Sequence, residues 1–67
     1  MDNKEKERLW NEWGYEFGKD GDRWVTHPDY NYLIGKAWSI DSMYELCLSH
    51  RNSIIKYGKE ITKKLFQ

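Results

Sequence analysis

Paired cysteines, prolines and long apolar runs are scarce in this chain, and each shortage removes a class of protein. Cys47 is the only cysteine among 67 residues, so no disulfide forms within the chain. With only two histidines beside it, cysteine and histidine alone cannot fill a four-ligand metal site, and neither metal nor cofactor is expected. No stretch approaches the roughly 20 apolar residues that a membrane-spanning helix needs. The opening MDNKEKERLW has no apolar segment ahead of a cleavage site, so no signal peptide is expected. Together with the lone thiol this points to the cytoplasm. Pro28 is the single proline, and no linker, repeat or low-complexity tract divides the chain, which makes one small domain over residues 1–67.

A chain this short buries only about 60% of the surface its unfolded form exposes. The core of so small a chain rarely supplies more than roughly 3–5 kcal/mol. Without disulfide or metal, stability has to come from dense packing or from self-association, for instance as a homodimer. Four Trp, five Tyr and two Phe provide the packing. Formal charge sums to zero but is unevenly spread. Residues 1–50 carry six basic and ten acidic side chains, while residues 51–67 carry Arg51, Lys56, Lys59, Lys63 and Lys64 against Glu60. Two solvated faces are the plainer explanation. A basic tail that meets phosphate or an acidic protein is the functional one.

Periodicity predicts an all-α fold. Asp2 and Glu5 stand at capping-box spacing, which starts a helix near Asn3, and Leu9, Trp10, Trp13 and Phe17 recur on one face of it. Residues 15–26 fit two patterns. Asp20-Gly21 between alternating segments signals a hairpin in which Phe17 faces Trp24 and Tyr15 faces Thr26. Alternatively the helix runs to Phe17 and stops at Gly18, with a loop after it. Thr26-His27-Pro28-Asp29 has the form of a helix start, with Tyr30, Leu33, Ile34, Ala37 and Trp38 following on one face. Ser42 and Glu45 open a third helix. Along it Met43, Cys47, His50, Ile54, Tyr57 and Ile61 form a heptad-like stripe, extended by Leu65. A break at Asn52-Ser53 would make two shorter helices of it. Tyr44, Leu48 and Ile55 form a second apolar stripe, turned by about 100°. The expectation is thus a helix–loop–helix (about 3–18 and 27–38) packed on a long C-terminal helix (about 42–66).

One set of residues goes beyond generic pattern. Gly14-Tyr15, Gly18, Gly21, Pro28 and Trp38, in the stretches GYEFGKDG, HPDY and KAW, resemble in order and spacing the ribosome modulation factor family. The resemblance covers roughly residues 8–42. It implies two helices joined by a loop, favouring helix and loop over residues 15–26. It also implies binding to the small ribosomal subunit near the 3′ end of its RNA, which silences translation by promoting ribosome dimers. The structural residues are Gly14, Gly18, Gly21, Pro28 and Trp38 from the resemblance, with Trp10 and Trp13 from the apolar face of the first helix. Gly14 and Gly18 lie on one helix face, Gly21 suits a turn with positive φ, and Trp38 fills the gap between two helices.

Catalytic patterns are missing. Cys47 and His50 sit three apart, half of a metal site at most, and are read as core. His27 with Asp29 lacks a nucleophile or second base. GKDGD lacks the Lys-Ser/Thr ending of a phosphate loop. A non-enzymatic binding protein is therefore expected, and the partner remains open. Binding to the ribosome or its RNA would use Lys19, Arg23 and Lys36, with Arg51, Lys56, Lys59 and Lys63 from the last helix. The alternative is a protein-binding inhibitor or regulator of phage or mobile-element type, contacting its target or a second copy through Tyr44, Leu48 and Ile55. Helices two and three also loosely suggest a DNA-binding helix-turn-helix, though SMYEL offers few base-reading groups.

Overall fold

The computed structural model describes residues 1–18 and 23–66. Its elements run α1 (Asn3–Glu12), β1 (Glu16–Phe17), β2 (Trp24–His27), β3 (Tyr30–Lys36), α2 (Ile40–Tyr57) and α3 (Lys59–Phe66). The all-α expectation is therefore wrong. The molecule is mixed α/β, with a three-stranded antiparallel sheet in the order β1-β2-β3 that follows the first helix and precedes the last two in sequence.

The start of α1 follows the expected cap, since the Asp2 carboxylate accepts the Glu5 N–H at 2.8 Å. Its end does not. The helix stops at Glu12 instead of running toward residue 18, because Gly14 takes φ +93°. Gly14 N–H donates to the Asn11 carbonyl and Tyr15 N–H to the Trp10 carbonyl, both at 3.0 Å, which closes the last turn in the manner of a glycine cap. A Cβ at Gly14 would also lie 2.7 Å from His27 Nε2. Gly14 thus serves a helix stop and a close approach by β2. It does not share a helix face with Gly18, whose N–H donates instead to the Trp24 carbonyl.

Residues 27–38 are not a helix. Pro28-Asp29 form a two-residue turn, with His27 paired to Tyr30 across it. The preset φ of proline suits the turn as well as a first helical turn. Within β3, Tyr32 and Ile34 are buried while Asn31 and Leu33 are exposed, an alternation of period two. Tyr30, Leu33, Ile34, Ala37 and Trp38 match a helical template equally well by sequence, and the packing decides between them. β3 holds extra residues between its Val25–Gly35 and His27–Tyr30 pairs, a bulge that bends the ladder. β1 and β2 do form a hairpin, one residue away from the expected register. Glu16 pairs with Thr26 and Phe17 with Val25, so Phe17 and Val25 share a face, while Trp24 pairs with Lys36. Lys19 and Gly21 lie outside the described residues.

Ser39, not Ser42, caps α2. Its hydroxyl accepts the Ser42 N–H at 3.1 Å and the Ser42 hydroxyl accepts the Ser39 N–H at 2.9 Å. The expected continuous helix over 42–66 is broken, and at Gly58 (φ +88°), not at Asn52-Ser53. Beyond that glycine α3 turns back along α2, held by a buried hydrogen bond of 2.7 Å between the hydroxyls of Ser53 and Thr62. The predicted stripe therefore splits. Met43, Cys47 and His50 are buried, whereas Tyr57 and Ile61 are exposed. The core gathers Trp10, Tyr15, Val25, Tyr32, Ile34, Ala37, Met43 and Cys47.

Candidate binding surface

The polar centre of the core is a chemically quiet site. His50 is fully buried, and both its ring nitrogens are occupied: Nδ1 by the Tyr15 hydroxyl and Nε2 by the Tyr32 hydroxyl, each at 2.7 Å. Burial, with the neighbouring His27 second, lowers its pKa to about 4. The ring is neutral near pH 7, so one nitrogen donates to a tyrosine and the other accepts from the second tyrosine. Burial pushes the Cys47 thiol up to about 12, which leaves it protonated and a poor nucleophile. Cys47 and His50 are therefore core, as expected from their stripe. Among the described residues no three His, Cys, Asp or Glu side chains converge as a metal site.

His27 is likewise committed. Its Nδ1 accepts the Asp29 N–H at 3.0 Å, so the proton sits on Nε2, which donates to the Trp13 carbonyl at 2.8 Å. The residue ties β2 to the end of α1.

Chemistry for recognition lies at the surface, where cations rest on aromatic rings. The Arg23 guanidinium lies 5.1 Å over Trp38, Lys36 Nζ 4.9 Å over Trp24, and Arg51 5.0 Å over Trp13. Lys56 lies over Tyr57 and Lys59 over Tyr30. The ladder brings the first two pairs together: Trp24 faces Lys36 across the strands, and the Ala37 N–H donates to the Arg23 carbonyl at 3.0 Å. Sequence distance hides this, since the partners are 12 and 15 positions apart.

Trp38 is the outlier of the surface. Placed between β3 and the cap of α2, it is 69% exposed, and it does not fill a gap between helices. A groove of about 290 Å³ opens beside it, lined by Trp10, Phe17, Arg23, Trp38 and Met43, with Glu7 at its edge. Phe17 is itself 41% exposed. Isolated exposed apolar side chains are ordinary, but a tryptophan, a phenylalanine and an arginine around one groove are the residue types that anchor interfaces.

The remaining candidates scatter. Ile55 is exposed, whereas Tyr44 and Leu48 are half-buried; Tyr44 packs against the core, its ring 6.1 Å from Trp13. Lys59 and Lys63 flank a shallow groove beside Tyr30–Tyr32, shared with Asp29 and Glu60. Trp10 is buried and Trp13 half-buried, while Pro28 is exposed in its turn. The helix-turn-helix expectation loses its first helix, which is β3. The sequence places Phe17 and Met43 on apolar helix stripes; as groove residues they carry no sequence signal, because only the tertiary fold brings them beside Trp38. No helix of the described residues is long and apolar enough to cross a membrane.

The chain matches no family model, no curated protein and no solved structure. The two-helix fold that the resemblance to ribosome modulation factor implies is not the one residues 15–18 and 23–36 adopt.

Proposed function

We propose that this chain is a small non-catalytic binding protein, of the inhibitor or regulator type carried by phages and mobile elements, acting on a protein partner in the cytoplasm. Its contact surface is the groove beside Trp38. The exposure of that tryptophan, with Arg23 stacked on it and Phe17 across the groove, is the observation that carries the reading. Covering the open part of an indole, on the order of 150 Å², is worth about 4 kcal/mol before the costs of association. That suffices to make Trp38 a dominant anchor.

The test starts with a photo-reactive phenylalanine analogue at position 17, crosslinked in cells and analysed by mass spectrometry. Affinity of the captured protein is then measured for the unmodified chain and for Trp38→Ala. A loss of about 30-fold or more is expected, as for an anchor residue. Unchanged affinity would remove the groove from the interface.

A second reading, binding to ribosomal RNA, draws on the two tryptophan–cation pairs at one end of the β2–β3 ladder. Rings and cations together form a platform on which unpaired bases stack. It keeps Arg23 and Lys36 in the roles that the family resemblance gives them. Co-sedimentation with the small ribosomal subunit that is lost after nuclease treatment would favour it over the protein partner.

A further inference from the structure

A second pocket, of about 190 Å³, lies where the end of α1 meets the C-terminal half of α2. Its walls are Trp13, Tyr15, His27 and Tyr30, and Ile54 and Ile55 close one side. Among the described residues of the lining Arg51 is the only charged one, and none is a carboxylate. The nearest acid of the turn, Asp29, keeps its carboxylate 3.9 Å from His27 Nδ1, with a side chain 70% exposed. The other two grooves described above each mix cations with acids, whereas the described lining of this pocket has one sign of charge.

Most polar groups in the walls are already used. The Tyr15 hydroxyl is held by His50, and both nitrogens of His27 are bonded to backbone. Arg51 is different. Its guanidinium lies 5.0 Å over the Trp13 ring, and among the described residues it makes no ion pair. Among the described residues no hydrogen bond or ion pair engages its N–H groups, a planar fork that matches a carboxylate. Trp13 is itself backed by Tyr44, so the platform under Arg51 is firm.

We propose that Arg51 and the aromatic pocket beside it form a second contact site, which receives a glutamate side chain of the partner protein. The volume supports a single side chain, being smaller than the roughly 300–1,000 Å³ of small-molecule sites. Rings and the two isoleucines take the methylenes, and the guanidinium takes the carboxylate. The source of the glutamate rests on the protein-binding reading, but the site does not depend on the Trp38 groove. It accounts for Arg51 and Ile55 lying side by side, two residues that sequence assigned to different partners.

The test uses the full ¹⁵N-labelled chain and two capped tripeptides, acetyl-Leu-Glu-Leu-amide and its Gln counterpart, with AMP as a third probe. The Glu peptide shifts the Trp13 indole N–H and Arg51 Nε–H resonances in a saturable way. The Gln peptide binds about tenfold more weakly, since it lacks the charge-assisted bonds. Arg51→Gln abolishes the preference for Glu over Gln, and Arg51→Lys keeps part of it. Both variants hold the exposed position with a polar chain, and unchanged circular dichroism verifies their fold. Trp38→Ala leaves the titration unaltered, which separates this site from the groove. Equal binding of the Glu and Gln peptides, no saturable shift, or tighter binding of AMP would each overturn the proposal.

Discussion

Acid should unfold this protein through His50. The perturbation is a fall in pH from 7 to 4.5, applied to the intact chain and to His50→Gln. In the folded state the ring is fully buried between two tyrosine hydroxyls, and its pKa drops from 6.5 to about 4. The unfolded chain therefore binds a proton below about pH 6.5 that the folded chain refuses. Stability from this group is complete above pH 6.5 and is lost as pH falls toward 4, so stability rises with pH across that window. At 1.36 kcal/mol per unit, the full loss is about 3 kcal/mol. A core of this size supplies only roughly 3–5 kcal/mol, so a single histidine consumes most of it. Urea titrations followed by tryptophan fluorescence at pH 7, 6, 5 and 4.5 measure the slope. His50→Gln lowers stability at pH 7 but flattens the dependence between pH 6.5 and 5, where carboxylates contribute little. A native chain whose midpoint stays constant from pH 7 to 5, or a variant that keeps the full slope, would refute the reasoning.

Three further outcomes follow from single contacts. Gly14→Ala places a Cβ 2.7 Å from His27 Nε2 at φ +93°, so unfolding free energy should fall by roughly 1–3 kcal/mol, measured by urea titration; a neutral result would mean the α1 stop is not strained. Thr62→Val strands the Ser53 hydroxyl in a buried site and should cost about 1–3 kcal/mol, with Ser53→Ala/Thr62→Val recovering part of it in a double-mutant cycle. Cys47, buried and with its thiol pushed up to about 12, should resist Ellman-type disulfide reagents in native buffer and react fully in urea; fast labelling without denaturant would contradict its place in the core.

What could be read from residue order is the set of signals that act within a few positions. Asp2 and Glu5 start α1 because a carboxylate three residues from an N–H can reach it whatever lies around. Met43, Cys47 and His50 form a buried stripe because their spacing of 4 and 3 puts them on one side of any helix. The grouping of glycines between residues 14 and 21 announces a chain that stops being helical. Even so, the helix end fell at residue 12, since Gly14 serves as a cap. Gly58, a single glycine inside a helical stripe, splits the last helix for the same conformational reason.

Residues 24–38 mark the limit of such signals. Val25, Tyr32, Leu33 and Ile34 suit a strand, and the Thr-x-Pro-Asp start suits a helix, so local preference alone does not choose. The choice falls to the sheet because Tyr32 can then reach one ring nitrogen of His50, 18 residues away, while Tyr15, 35 residues away, reaches the other. Only that closure buries the histidine with both nitrogens satisfied, and an unsatisfied one would cost most of what the core supplies. The surface is decided by the same event. Residue order determined that Trp38, Arg23, Trp13 and Arg51 exist in a neutral, aromatic-rich chain. Pairing β2 with β3, and laying α1 along α2, determined that each cation rests on a ring and that Trp38 faces solvent. Hydrogen bonds and side-chain packing across 12 to 38 positions carry no local periodicity, which is why tertiary structure alone assembled the candidate site.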